Sequence, residues 1–325
     1  MSGPKRKEMS AMKMREVIGI ISLLGCILFG LMLARASETQ SGSWTLAHSD
    51  EPGQVHFTLI ESHNGGHSSH DSDWPVAAFQ VLDVSKPGRQ DVHFTIARDA
   101  GKLDCEGYLN NGEGAGLFHF TPDPKYVREM ESLGFGGFDA DKQFSMAIQD
   151  VTVSFAQEMK NEHLANLDTD KLIAFRIFNV NAEFIHALRA EGLSASDSDK
   201  LVAFRIHGVS PEMVRQLHQS GYKPDEDMLI AMRIHGATPE FVEQLKMQGY
   251  DQMDLEKLIA FRIHGVSPDF IEKLKGLGYS HPEPDQLIAM RIHGVTPEYI
   301  AGMRAHGIQD LSIDKLISLR IQGID

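Results

Sequence analysis

Cysteine is almost missing: two occur in 325 residues, Cys26 and Cys105. Outside residues 1–36 only Cys105 remains, so no intramolecular disulfide can staple the body of the chain, and an oxidising compartment is permitted but not exploited. Basic excess is missing too. The formal charge is −14. Residues 1–36 carry +4, from six Lys/Arg against two Glu, which leaves −18 on the rest. Nucleic acid is therefore excluded as a partner, because phosphate binding needs a basic face. Enzyme signatures are also lacking. There is no His-Glu-x-x-His, no phosphate loop and no G-x-S-x-G, so no hydrolase or nucleotide chemistry is indicated, and no cofactor.

What is present is repetition. Residues 258–271 read LIAFRIHGVSPDFI, and near copies stand at 201–214, 229–242 and 287–300. A looser copy begins at Leu172 and a truncated one at Leu316. Arg176, Arg205, Arg233, Arg262, Arg291 and Arg320 mark the beat, with spacings of 29, 28, 29, 29 and 29 residues. A fixed period of this size signals a repeat architecture. In each copy an acidic or Ser cap (Asp254, for example) opens a first helix, and Gly265 suits its left-handed end. Ser267-Pro268-Asp269 then starts a second helix: cap, proline, acid. Helices of about ten residues do not stand alone in water, so stacking is required. Fainter copies carry the period back through Phe155 to Tyr126. The expectation is an α-solenoid over residues 122–325, seven two-helix units of roughly 29 residues.

Ahead of it, residues 44–121 change to period two. Segments 55–60, 92–96, 102–109 and 116–121 read as strands, with a glycine-rich turn over 110–114 and weaker strands at 44–47 and 79–82. A small antiparallel sandwich or roll is expected. Residues 37–43 read as a linker. Residues 17–34 form an 18-residue run without charge, preceded by Lys5, Arg6, Lys7, Lys13 and Arg15. This predicts a membrane anchor with a cytoplasmic N-terminus and an exported body. Cleavage after Ala36 in the manner of a signal peptide is the alternative. The fold class is thus α+β: membrane segment, β domain, helical array.

Three groups of residues invite a functional reading. On a wheel starting at Leu258, Arg262 falls at about 40°, between Leu258 and Ile259 and amid the apolar residues. An arginine there needs a packed stem and partners for its head, either loop carbonyls of the neighbouring copy or a ligand. His207, His235, His264 and His293 form a second row. At about 10 Å apart they cannot share a metal. They read as helix-end residues, or as part of a partner-binding surface tuned by protonation. His63, His67 and His70, near Asp71 and Asp73, are the only metal-like cluster. They lie in a polar stretch, 62–74, that reads as a solvated loop.

The motif L-I-[AS]-[FM]-R-I-H-G-V-[ST]-P-[DE]-[FY]-I resembles that of exported or membrane-bound helical-repeat proteins of acidobacteria-like bacteria. It also resembles a C-terminal extension of membrane zinc peptidases of the beta-lactam-sensing antirepressor class. Asp99-Ala100-Gly101, Cys105-Glu106-Gly107, Gly114, Gly116, Phe118 and Phe120 resemble the segment preceding the repeats there. The resemblance covers roughly residues 90–325, and the peptidase part has no counterpart, so no catalytic residue carries over. It implies an extracytoplasmic sensing or interaction module with a protein partner. A small-ligand or glycan sensor is the competing expectation, with a pocket at Trp44 or Trp74, and a His63/His67/His70 metal protein is the third.

Overall fold

The structure is a computed structural model that describes residues 40–63, 66–251 and 253–324. The expected anchor at 17–34 and the cleavage position at Ala36 lie outside them. Among the described residues no helix is long and apolar enough to cross a membrane. The chain divides into two compact units, at Gln157 and Glu158.

The first unit is built on six antiparallel strands: β1 (Ser41–His48), β2 (Gln54–His63), β3 (Gly66–Pro75), β4 (Arg89–Arg98), β5 (Gly101–Asn110) and β6 (Glu113–Pro122). Their order in the sheet is β3-β2-β1-β6-β5-β4. Alternation fixes one inner face. Trp44, Leu46, Val55, Phe57, Leu59, Phe94, Ile96, Leu103, Cys105, Leu109, Phe118 and Phe120 all point to it and are buried. This is one sheet, not a sandwich. In a flat sheet β2 and β4, four places apart, would be about 19 Å from each other. Yet the rings of Phe57 and Phe94 lie 6.3 Å apart, and the Arg98 guanidinium sits 4.9 Å above the Trp74 ring, joining the two edges. The sheet therefore curls into an open barrel around its aromatic residues. Phe79 fills the seam, 5.0 Å from Phe57 and 5.6 Å from Phe94. The weak strand expected at 79–82 contributes a single bridge, Gln80 to Thr95.

Three sequence expectations change here. Residues 41–43, read as linker, are the start of β1 and pair with both β2 and β6. The glycine-rich turn contracts to Asn111-Gly112, both at positive φ (53° and 88°), as a two-residue hairpin demands. Gly114 is a strand residue, where a Cβ would collide with the Tyr108 carbonyl and the Leu109 side chain, and at Gly116, expected in a strand, the Trp44 indole occupies the room a side chain would need. A Cβ on Gly116 would stand 2.7 Å from that ring, and one on Gly107 likewise. The Trp44 Nε1–H donates to the carbonyls of Glu106 (3.2 Å) and Leu117 (3.1 Å). Finally, the polar stretch 62–74 is not a loop. Its described residues belong to β2 and β3, whose ladder runs from Gln54–Pro75 to His63–Gly66. Backbone pairing with β2 holds β3 despite its poor strand composition, as an edge strand allows.

Fourteen helices follow, each of nine or ten residues: α1 (Pro124–Ser132), α2 (Ala140–Ile148), α3 (Val153–Asn161), α4 (Thr169–Ile177), α5 (Ala182–Ala190), α6 (Ser198–His207), α7 (Pro211–Gln219), α8 (Glu226–His235), α9 (Pro239–Met247), α10 (Leu255–His264), α11 (Pro268–Gly276), α12 (Pro284–Ile292), α13 (Pro297–Ala305) and α14 (Ile313–Ile321). The first two belong with the sheet. Phe144 of α2 stacks on Phe118 (5.7 Å) and meets Phe120 edge-on (5.2 Å), and the Gln143 amide donates to the carbonyls of Ala100 and Asp123. Burial against the sheet thus draws the earliest helices across the boundary expected near residue 122.

The caps are the ones the sequence spells. Asp254 accepts from the backbone N–H of Lys257 (2.7 Å) and Ser267 from that of Phe270 (3.1 Å). Glu283 forms a capping box with Gln286 ahead of Pro284. Gly208, Gly236 and Gly265 close their helices in the left-handed region, at φ 72°, 74° and 71°. In the second unit the helices alternate between two layers. First helices pack on first helices (α4, α6, α8, α10, α12, α14), and second helices pack on second helices (α5, α7, α9, α11, α13). Between the layers lies a core that repeats by position: Leu258, Phe261, Val266, Phe270, Ile271 and Leu274 are buried, as are their equivalents until the last copies, where Tyr299 and Leu319 are half-buried and Ile324 is exposed.

Candidate functional site: the face of the first helices

The arginine row faces the preceding repeat. Arg233 Nε donates to the carbonyl of His207 (2.9 Å), the last residue of α6, and Arg291 Nε to that of His264 (3.4 Å). Four of the guanidinia also lie over the aromatic ring that opens the preceding second helix: Arg205 on Phe184 (3.7 Å), Arg262 on Phe241 (5.0 Å), Arg291 on Phe270 (5.0 Å) and Arg320 on Tyr299 (4.7 Å), whereas Met213 holds that place before Arg233. A cation thus meets the negative end of a helix and the face of a ring at once. The closing glycines have a second reason to be glycine. A Cβ on Gly208, Gly236, Gly265 or Gly294 would stand 2.6 to 3.3 Å from the incoming arginine Nη2. Arg205 is the most enclosed of the row, and burial lowers its pKa.

The wheel misplaced these arginines in one respect. They sit at the side of the helix, and Arg233, Arg262 and Arg291 keep their heads exposed. The reason is that only part of the apolar arc is core. In α10, Leu258 and Phe261 are fully buried, whereas Ile263 is 55 % exposed. The core direction lies near 330° on the wheel, and the opposite direction, near 150°, belongs to Ile263 and Glu256.

That isoleucine recurs in every copy: Ile177, Ile206, Ile234, Ile263, Ile292 and Ile321 are all 53 to 63 % exposed. On the same face stands a half-buried row of small residues, Ala174, Ala203, Ala231, Ala260, Ala289 and Ser318. Beyond it, at the helix starts, is an exposed acidic row: Asp170, Asp199, Asp227, Glu256, Asp285 and Asp314. Lysines of the preceding repeat reach several of these acids. Lys200 Nζ lies 3.0 Å from Asp227, and Lys171 and Lys257 pair with Asp199 and Asp285. These hydrogen bonds, which lead the causes, hold the pKa of Lys171, Lys200 and Lys257 above its ordinary value.

His207, His235 and His264 are the last residues of their helices, and His293 is the C-cap of α12. Among the described residues no hydrogen bond or ion pair engages their imidazoles, and all but His207 are exposed. They border the isoleucine row at its C-terminal side, together with the arginines.

Of the metal-like trio, only the His70 side chain lies among the described residues. His70 points to the inner face, 3.7 Å from Glu61 and edge-on to Phe144. Asp71 and Asp73 point outward, where both bond the ring nitrogens of His56. The side chains of His63 and His67 lie outside the description, and among the described residues no cluster of three His, Cys, Asp or Glu is placed to hold a metal. Trp44 and Trp74 are buried in the barrel, at 0 and 6 % exposure.

Two features escaped the sequence reading. One is a second ladder of cations, on the second helices. Arg189 Nη2 donates to the carbonyl of Glu162 (3.0 Å), Lys246 Nζ to that of Ser220 (2.6 Å) and Arg304 Nη2 to that of Leu277 (2.6 Å). A basic residue directly after the last core Leu or Met of each second helix was its signal. The other is an open hollow of about 740 Å³ on the outward face of the sheet, where Asp91, His93, Glu106, Tyr108 and Leu117 gather. A comparison with family models finds no match to this chain, and a comparison with curated proteins finds none either.

Proposed function

We propose that the chain is a non-catalytic, extracytoplasmic interaction module, tethered to a membrane by residues 17–34, whose paired helices form an α-solenoid that binds a protein partner along its first-helix face. The observation that carries this is the row of six exposed isoleucines. A β-branched residue on the solvent side of a helix is a poorer helix former than Ala, Lys or Glu, and it contributes little to the core. Its presence in every copy has no explanation in folding, whereas a contiguous exposed apolar row is what a binding surface requires. The histidine row at its border joins the same surface in this reading.

The test replaces Ile234, Ile263 and Ile292 by Asp in the full chain and compares cross-linked partners from native membranes by mass spectrometry. A specific partner held by the native chain and lost by the variant, with unchanged circular dichroism, supports the reading. Identical capture by both removes the face from function. Tethering is checked separately, since mature protein should retain residues 1–36 and resist salt extraction; an N-terminus at Ser37 would show cleavage instead.

The hollow on the sheet favours a second reading, a small-ligand or glycan sensor. Among the described residues Asp91 and Glu106 form no side-chain hydrogen bond or ion pair, and beside them stand the exposed Tyr108 and Leu117. Saccharide titrations followed by nuclear magnetic resonance, with Tyr108→Ala as control, decide it.

A further inference from the structure

We infer that the occupant of the first-helix face is an amphipathic α-helix of the partner, laid lengthwise across the repeats, with an apolar residue at every seventh position and acidic residues along the side that meets the Arg/His border. This rests on the proposed interaction role and adds the chemistry of what is bound.

Spacing is the first argument. Neighbouring packed helices stand about 8 to 10 Å apart, so the isoleucines recur at about that interval. An α-helix rises about 1.5 Å per residue and brings a side chain back to one face every seven residues, about 10.5 Å. A β-strand covers about 10 Å in three residues, and residues three apart point to opposite faces. A polyproline segment does return at about 9.3 Å, but its backbone has no internal hydrogen bonds.

Hydrogen bonding is the second argument. An extended segment docked here would need side-chain donors and acceptors for its backbone. Between its two borders this face offers isoleucine and alanine, half-buried or exposed, and no row of Asn or Gln. A helix satisfies its own backbone and needs none.

Width and charge supply the third. Glu256 and Ile263 are seven residues apart on one helix, about 10 Å, close to the diameter of a helix with its side chains. Ala260 stands between them, so the strip is floored by small residues. Its C-terminal border carries the exposed Arg233, Arg262 and Arg291 with His235, His264 and His293. Its N-terminal border carries the acidic row, of which Asp227 and Asp285 remain 77 and 83 % exposed despite their lysine partners. A helix acidic on one flank and basic on the other complements both borders.

The experiment uses the full chain and a synthetic 35-residue helical peptide with Leu at every seventh position, Glu on one flank and Lys on the other. Binding is read by fluorescence anisotropy. A second peptide of the same composition carries Leu at every sixth position. We expect the heptad peptide to bind at least tenfold more tightly than the permuted one. Joint replacement of Ile206, Ile234, Ile263 and Ile292 by Asp should remove that preference. Should the Asp variant lose helicity, replacement of the same four by Ala, a better helix former, gives the same readout. Lys273→Ala, on the second-helix layer, should leave binding as it is. Equal binding of the two peptides, or full binding by the isoleucine variants, overturns the inference. If the isoleucine variants lose their native partner while neither peptide binds, the helical occupant is refuted and the interaction face stands.

Discussion

Arg233 joins two repeats through one side chain, with its Nε on the His207 carbonyl and its Nη2 against Gly208. Because its head is exposed, its contribution is that of a charged cap and not of a buried ion. Arg233→Ala is expected to lower stability by about 1–2 kcal/mol, read as a fall in the urea midpoint. Arg233→Lys should recover little of it, since a point charge cannot bond a carbonyl and lie flat near a helix end together. Titration acts at this scale as well. Burial pushes the Cys105 thiol up to about 12 from an ordinary 9, and the Tyr250 hydroxyl, donating to the Pro282 carbonyl at 2.8 Å, also to about 12. Burial raises Tyr126 too. Each group is held neutral in the fold and ionises more readily in the unfolded chain. Their stabilisation is complete below about pH 9 and drains away as pH climbs towards 12. Urea midpoints should therefore fall between pH 8 and pH 10.5, and Cys105→Ala should flatten that fall in the sheet unit. A pH-independent midpoint over this range would refute the assignment.

At the level of elements, what was legible and what was not divide by physical cause. Helices were legible because their ends are chemical: Asp254, Ser267 and Gly265 each occupy the place their side chain, or lack of one, dictates. The strand 66–75 was illegible because its partner, not its composition, makes it a strand; Ser68, Ser69, His70 and Asp71 hold no period-two signal. The barrel was illegible for a related reason. Gly114 read as a turn residue, and nothing in the sequence says why the strands need Gly107 and Gly116; only the position of the Trp44 ring shows that. Gly116→Ala tests this. The added methyl would fall 1.9 Å from the Glu106 carbonyl oxygen and 2.7 Å from the indole, so β5 and β6 must part. A loss of about 3 kcal/mol or more is expected, with a red shift of tryptophan emission as Trp44 meets water. The isoleucine face was hidden in plain sight. An apolar residue at a helical period reads as core, and sequence alone does not say which part of an apolar arc the neighbouring layer covers.

Across the whole molecule, the two units differ in how their contacts are distributed along the chain. The sheet unit closes on itself, since β1 must find β6 much later in the chain, as Ser41 opposite His119 illustrates. In the helical unit the ladders of arginine, lysine and Tyr250 all reach one repeat away, 26 to 32 residues, and no further. Arg205, Arg233, Arg262, Arg291 and Arg320 all point the same way, back towards the repeat before them. Copy number is therefore not built into any single joint. Excising residues 236–264 would fuse His235 to Gly265 in phase, and Arg291 would then find the carbonyl of His235 where it now finds that of His264. Such a shortened chain should fold with its caps intact, while a cut of half that length should leave a first helix facing a second and fail. Genes for such a chain can lengthen or shorten by whole repeats without a compensating mutation, and each change would alter how long a partner the surface can measure.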